Sequence, residues 1–354
     1  MRKETIVIAA GGTAGHVVPA LAVADALRDE GAEVQFIGGE RAEATLVPEA
    51  GFQLHQIAVE GLSRSNPLRA ARALTRSAGA VLAARRILAG LQPDAVLGGG
   101  GYVAGPVGLA ALSMRTPLLL SEADSHLGLT NRLLAPWARR VCLSFAIAGR
   151  EGPRYLVSGR PVPAVHQDRQ AAREALQIAP DELCLLVFGG SLGARSINLT
   201  AIDAFADVAY HVLHICGRRD YPELSARARP AHYDLREYMD THDFSGALSA
   251  ADLVLARAGG SVFEVAAHGL PAILVPYPHA SADHQSTNAR WMEQAGAAIV
   301  IADADLQSQR LKDTVDALLG DPGRLREMAR ASLALARPEA ASLIASELLK
   351  AAGR

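Results

Sequence analysis

The sequence predicts an α/β protein made of two Rossmann-like domains that face a cleft. Three observations carry this expectation. Short β-branched runs alternate with segments of helical period, the grammar of a parallel sheet covered by helices on both faces. Each half opens with the same unit of strand, GG[TS]xG turn and helix: Gly11-Gly12-Thr13-Ala14-Gly15 in the first, Gly189-Gly190-Ser191-Leu192-Gly193 in the second. The chain has 354 residues, half of them apolar, enough for two cores of ordinary size.

In order, residues 5–9 read as a strand that runs into Gly11-Gly12, and Pro19, Leu21, Ala22, Ala26 and Leu27 space a helix closed by Gly31. The pattern repeats with a strand at 34–37, a helix at 42–50, a strand at 53–57, a long helical region from Pro67 and a strand at 94–97. A second glycine-rich turn, Gly98-Gly99-Gly100-Gly101-Tyr102, leads into a helix through Leu112, a strand at 117–120 and a polar loop from Ser121 to His126. The strand at 140–144 is expected to close the first domain. Residues 149–163, punctuated by Gly152, Pro153, Gly159 and Pro161, read as linker, with domains 1–158 and 159–335 on either side. The second half gives a helix at 168–176, a strand at 183–188, a helix through Phe205, strands at 253–256 and 272–275, and helices at 305–319 and 323–335. A last helix within 336–354 is expected to pack back toward the first domain.

Net charge is −2, which gives no reason to expect nucleic acid as a partner. Cys142, Cys184 and Cys216 are odd in number, far apart and without CxxC spacing, so neither a disulfide framework nor a structural zinc site is expected, and a reducing compartment fits. The N-terminal apolar run is cut short by Gly11-Gly12 and reads as a first strand, not a signal peptide. The most membrane-like window, 103–120, is broken by Gly105, Pro106, Gly108, Arg115 and Pro117.

Residues 257–288 suggest a nucleotide-sugar site. A glycine-rich exit from a strand into a helix, Arg257-Ala258-Gly259-Gly260-Ser261, aligns free backbone N–H groups that favour an anion. Glu264, one turn in, can accept hydrogen bonds from a ribose diol, and the polar loop 279–288 offers groups for sugar hydroxyls. His16, in the first turn, has a side chain that titrates near neutrality and is a candidate base; capping or packing at the first helix is its ordinary alternative. Asp303-Ala304-Asp305 matches a metal-binding Asp-x-Asp, but Asp305 stands where a helix begins, and an N-cap is the simpler role. From 61 to 93 the charges are all basic (Arg64, Arg69, Arg72, Arg76, Arg85, Arg86), interleaved with leucines, and suit an anionic lipid surface or a solvated helix face.

Four stretches together carry a resemblance: GGTAGHVVPALAVADAL, GGGGYVAGPVGLAA, GGSLGARSIN and RAGGSVFEVAAHGLPAILVPYPHASADHQSTNA. In that order over nearly the whole chain they resemble the GT-B glycosyltransferases, and among these the N-acetylglucosaminyltransferases of peptidoglycan synthesis. The resemblance implies inverting transfer of GlcNAc from UDP-GlcNAc to the C4 hydroxyl of MurNAc in lipid I, the undecaprenyl-linked MurNAc-pentapeptide. It also implies peripheral attachment to the cytoplasmic face of the cell membrane, no cofactor and no metal. His16 and Glu122 are then the catalytic candidates. Glu264 is implied on the ribose; Arg257, Gly260 and Ser261 around uridine and diphosphate; Gln285 and Asn288 near the GlcNAc hydroxyls; Met239 and Phe244 beside the base. Ser191 is implied on the diphosphate, with Thr13, Ala14, Gly15 and Arg160 approaching it, and Tyr102, Asp124 and Asn131 on the acceptor side.

The chain departs from that pattern on the acceptor side. Ser121-Glu122-Ala123-Asp124 stands for the family's His-Glu-Gln-Asn, and Gly159-Arg160-Pro161-Val162-Pro163 for Gly-Asn-Pro-Val-Arg. A related UDP-sugar transferase with another acceptor, or a donor-binding protein without turnover, therefore stay open as alternatives. A dinucleotide oxidoreductase is a weak fourth reading, because GxGxxG is absent from the first turn and no acidic residue follows at a strand end at the expected distance.

Overall fold

The computed structural model describes residues 3–59, 67–165, 168–190, 193–227, 230–280 and 283–354, with backbone only for 67–77. The chain divides into two compact units, residues 1–164 with 337–354, and residues 165–336.

Unit 1 contains β1 (Thr5–Ala9), α1 (Ala14–Asp29), β2 (Glu33–Gly38), α2 (Ala42–Glu49), β3 (Gln53–Gln56), α3 (Pro67–Leu91), β4 (Ala95–Gly98), α4 (Ala104–Ser113), β5 (Leu118–Glu122), α5 (Leu129–Leu134), β6 (Arg140–Leu143) and β7 (Tyr155–Val157). Its seven strands are all parallel, in the order β3-β2-β1-β4-β5-β6-β7. Burial on both faces explains why the strands read as continuous apolar runs. In β1, Ile6 and Ile8 enter the cluster that includes Leu27 of α1, while Val7 and Ala9 enter the one that includes Leu88 of α3 and Val107 of α4.

Unit 2 contains α6 (Arg169–Ala175), β8 (Cys184–Phe188), α7 (Arg195–Ala204), β9 (His211–Ile215), α8 (Tyr221–Ser225), β10 (Tyr233–Arg236), α9 (Thr241–Ala250), β11 (Leu253–Ala256), α10 (Val262–Ala267), β12 (Ala272–Leu274), α11 (His284–Gln294), β13 (Ala298–Val300), α12 (Ser308–Leu319) and α13 (Pro322–Leu335). Its six parallel strands run β10-β9-β8-β11-β12-β13. Leu185, Val187, Leu253 and Leu255 share one core with Ile197 of α7 and Leu311 and Val315 of α12. The last helix, α14 (Ala340–Ala352), packs on α1, where Ile344 and Leu348 join the unit 1 core.

Several expectations need correction. The stretch read as linker contains β7, which pairs with β6, so β6 does not close the sheet, and the division falls at 164/165 instead of 158/159. Asp305 is not an N-cap: Asp303–Asp305 form a short 3-10 turn, and α12 starts three residues later after Gln307. The loop expected at 279–288 turns into α11 at His284, and α5, α8, α9, β9, β10 and β13 have no counterpart in the sequence reading.

In each sheet the strand order reverses beside the first strand, at β1/β4 and at β8/β11. Ligands of open parallel sheets bind at the carboxyl ends of the strands at such switch points. All four glycine-rich turns lie there.

Candidate functional site

At the unit 1 switch point the turns after β1 and β4 touch. Gly101 has φ +77°, and a Cβ on it would lie 1.8 Å from the Gly11 carbonyl oxygen, so only glycine lets the two backbones approach. His16 packs on the second turn, where a Cβ at Gly100 would meet its Cδ2 at 2.7 Å. Its Nδ1 is 3.3 Å from the Thr13 hydroxyl. Burial lowers the imidazole's affinity for a proton, and the positive charge of Arg160 lowers it further, against weaker opposing effects of Asp124 and Glu43. The imidazole is thus held neutral at neutral pH, the form that accepts a proton.

Arg160, expected on the donor side, lies in unit 1. Its guanidinium donates to the Gly15 carbonyl at 2.5 Å and to the Ala123 carbonyl at 3.3 Å, tying the His16 turn to the loop after β5. Glu122 is almost wholly buried. Its carboxylate accepts from the backbone N–H groups of Gly128 (2.8 Å) and Asp124 (3.2 Å) and from Asn131 Nδ2 (2.9 Å). Burial pushes its pKa up, against those hydrogen bonds. These contacts commit the Glu122 carboxylate, implied by the resemblance as a catalytic candidate, to holding the 122–131 loop. Asn131 also donates to the Ser121 carbonyl at 3.0 Å, and its Oδ1 is buried with no hydrogen-bond partner among the described residues. Tyr102 donates its hydroxyl to Glu43 at 2.8 Å, and its pKa is pushed up to about 12 by burial first and then by that bond. Thr13, Ala14 and Gly15 line the exposed rim of the β1–α1 turn.

In unit 2 the turn after β8 is closed by the Gly193 N–H on the Gly190 carbonyl at 2.8 Å. Gly193 has φ +76°, and a Cβ there would sit 2.0 Å from the Cys216 carbonyl oxygen. Ser191 lies outside the described residues. Arg257 is committed to unit 2 itself: it donates to Asp303 at 2.6 Å, to the Val275 carbonyl at 3.0 Å and to Ser196 Oγ at 2.7 Å. The interdomain pair gives way to this internal clamp, which holds Arg257 at the start of the turn implied for uridine and diphosphate. Asn288 donates to the carbonyls of Ala258 (3.0 Å) and Gly259 (3.4 Å), and Gln285 accepts from the Tyr277 N–H at 2.9 Å. Both amides therefore shape the loops around the glycine turn. A Cβ at Gly259 would meet nothing within 4 Å, so the turn is open there, with Gly260, Ser261 and Glu264 half-buried beside it. Met239 is buried, and Phe244 sets its ring edge-on to Phe188 at 5.0 Å.

Glu43 has no counterpart among the sequence-derived candidates. It is fully buried and accepts three hydrogen bonds at the unit 1 switch point. A lone Glu near a helix start carries no signal of partners such as the Gly12 N–H and the Tyr102 hydroxyl, which folding alone brings to it.

Two glycine-turned Rossmann units, one carrying a neutral imidazole and the other an open glycine turn backed by a half-buried carboxylate, fit a glycosyltransferase of the two-domain type, and the family models show that class. The chain belongs to glycosyltransferase family 28: the family's N-terminal domain matches residues 6–143 and its C-terminal domain residues 184–344. It is 41% identical over 98% of both chains to the UDP-N-acetylglucosamine–N-acetylmuramyl-(pentapeptide) pyrophosphoryl-undecaprenol N-acetylglucosamine transferase of Moorella thermoacetica. The protein of that name from Acidithiobacillus ferrooxidans is 40% identical over 99% of this chain and 98% of its own. Among solved structures, MurG of Acinetobacter baumannii matches with a TM-score of 0.74 and 32% identity, covering 99% of this chain and 100% of that one. A UDP-GlcNAc 2-epimerase from Neisseria meningitidis, at 13% identity and a TM-score of 0.70, shares the fold.

Proposed function

We propose that the chain transfers GlcNAc from UDP-GlcNAc to the C4 hydroxyl of MurNAc in lipid I, with inversion, giving the β-1,4-linked disaccharide of lipid II and UDP. The observation that carries this reading is the His16 imidazole, half-buried at the unit 1 switch point and kept neutral, in a chain full-length similar to transferases so named. His16 takes the proton of the C4 hydroxyl as its oxygen attacks C1 of GlcNAc, the C1–O bond to UDP breaks, and the proton stays on the imidazole until released to solvent. Glu264 holds the ribose hydroxyls. The N-terminal N–H groups of α7 stabilise the charge that develops on the departing diphosphate, and the proposal calls for no metal.

The lipid-linked acceptor requires contact with a membrane surface. Leu82, Leu109, Leu129, Leu133 and Trp137 are exposed on and just after α3, α4 and α5 of unit 1, beside exposed Arg85, Arg86, Arg132 and Arg139. Apolar side chains set among cations suit an anionic bilayer surface. No helix among the described residues is long and apolar enough to cross a membrane, and the proposed attachment is peripheral, on the cytoplasmic face. Arg64 lies outside the described residues, as do the side chains of Arg69, Arg72 and Arg76.

The deciding experiment is incubation with UDP-GlcNAc and a lipid I analogue, following UDP release and disaccharide formation. Disaccharide is expected, and His16→Ala should cut kcat by about 100-fold or more while UDP affinity holds. Release of UDP only with a different acceptor, or tight UDP binding without release, overturns the reading.

A further inference from the structure

Glu43 stands in the first turn of α2, where a carboxylate is favoured by the helix dipole. Its side chain threads a slot that three glycines leave open. A Cβ at Gly11 would lie 2.6 Å from Oε1, one at Gly38 2.8 Å from Cγ, and one at Gly39 3.0 Å from Oε1. Within the slot, Oε2 accepts from the Gly12 N–H at 2.8 Å, while Oε1 accepts from the Gly39 N–H at 2.9 Å and the Tyr102 hydroxyl at 2.8 Å. Three elements meet on one carboxylate: the turn that carries Thr13 and His16, the exit of β2, and the turn after β4. Burial opposes its charge, but the bonds from the Gly12 N–H, its own backbone N–H, the Tyr102 hydroxyl and the Gly39 N–H together outweigh burial and keep its pKa below the usual value.

A Rossmann unit ordinarily seats a ligand phosphate on the N–H groups of its first β–α turn. In unit 1 the Gly12 N–H already points at a protein carboxylate. A phosphate arriving there has to displace Glu43 or lie beside a like charge. We propose that Glu43 is a positioning residue of unit 1: it takes the Gly12 N–H that an anion would otherwise occupy, ties the β1–α1 turn to the exit of β2 and the turn after β4, and so sets the turn that presents His16. This rests on the reading of unit 1 as the acceptor side.

The test uses the full chain. Glu43→Gln keeps the size but puts an NH2 group against a backbone N–H, which is expected to lower kcat by about 100-fold through misplacement of His16. KM for UDP-GlcNAc should rise far less than kcat falls, because the groups implied on the ribose, the uridine and the GlcNAc hydroxyls lie in unit 2. Glu43→Ala empties the seat, and added formate should restore at least roughly tenfold of the lost rate by filling it. Unchanged kcat in Glu43→Gln, a parallel rise in KM for UDP-GlcNAc, or no recovery with formate overturns the proposal. If neither variant folds, Tyr102→Phe decides: it spares both glycine bonds, should lower kcat several-fold with KM for UDP-GlcNAc unchanged, and overturns the proposal if kcat does not move. A wild-type chain with no turnover defeats the functional reading separately. Amide exchange at Gly12 and Gly39 then decides for Glu43, with faster exchange in Glu43→Gln supporting it and equal exchange overturning it.

Discussion

The guanidinium of Arg257 and the carboxylate of Asp303 lie 2.6 Å apart, and Ser196 Oγ bonds both, at 2.7 Å to the first and 2.6 Å to the second. The three residues come from the exit of β11, the start of α7 and the turn before α12. They pin the glycine turn after β11 to the rest of its unit, so the cation that the resemblance implies beside uridine and diphosphate is also a structural tie.

That tie predicts a stability effect. Asp303→Asn should cost unit 2 about 2 kcal/mol, since a charge-assisted bond is lost while Arg257 stays largely buried. Arg257→Lys should cost at least as much, because one ammonium cannot span Asp303, Val275 and Ser196 together. Urea unfolding of both variants checks this, and midpoints equal to wild type count against it.

The pH dependence of turnover should report His16. Burial and then Arg160 hold its pKa below 6.5, so the acid limb of kcat/KM, where the base becomes protonated, should fall below that value. Arg160→Met removes a positive charge that disfavours the imidazolium. The His16 pKa rises and the limb moves to higher pH, together with a loss of rate from the freed Gly15 and Ala123 carbonyls. A limb that stays in place in Arg160→Met contradicts the assignment.

His268 makes a second, independent pH prediction. Burial lowers its pKa against hydrogen bonds to the Glu264 carbonyl and Ser245, so below 6.5 the unfolded chain binds the proton more readily than the folded one. Stability is therefore lost as pH falls through that window. Wild type should lose more unfolding free energy than His268→Gln between about pH 7.5 and pH 5.5. Comparing the two drops cancels groups common to both chains, Glu122 among them; equal drops would refute the sign.

Gly193→Ala should damage the donor side alone. The new methyl meets the Cys216 carbonyl in a backbone conformation that L residues rarely adopt, so the turn has to move. UDP affinity is expected to fall by about tenfold or more, with unit 1 unaffected by amide exchange. Calorimetric titration with UDP gives the answer.

The parts of this architecture that sequence reveals are those where chemistry restricts the residue at its own position. Gly101 and Gly193 sit where a side chain would strike a carbonyl oxygen, so the turns could be read one at a time and their order identified the family. Contacts made at a distance were not readable. Asp303 is adjacent to nothing that signals Arg257, Glu43 meets its partners through folding alone, and Arg160 looked like a donor-side cation until its two carbonyl partners placed it in unit 1. β9 was hidden for another reason. His211 and His214 interrupt its apolar pattern, yet His214 is fully buried because Tyr233 and Asn198 satisfy its two nitrogens at 2.8 and 3.0 Å. β7 is only three residues long, too short for any period to show.

The return of α14 to unit 1 bears on how the chain is made. Ile344 and Leu348 fill the face of the first sheet, but they leave the ribosome only after all of residues 165–336 have been synthesised. For roughly 10–30 s at ordinary elongation rates, the nascent first sheet lacks its last covering helix and offers an apolar face to chaperones or to neighbouring nascent chains. Unit 2, continuous in sequence, can fold as it emerges. The half of the protein that begins first is the half that finishes last.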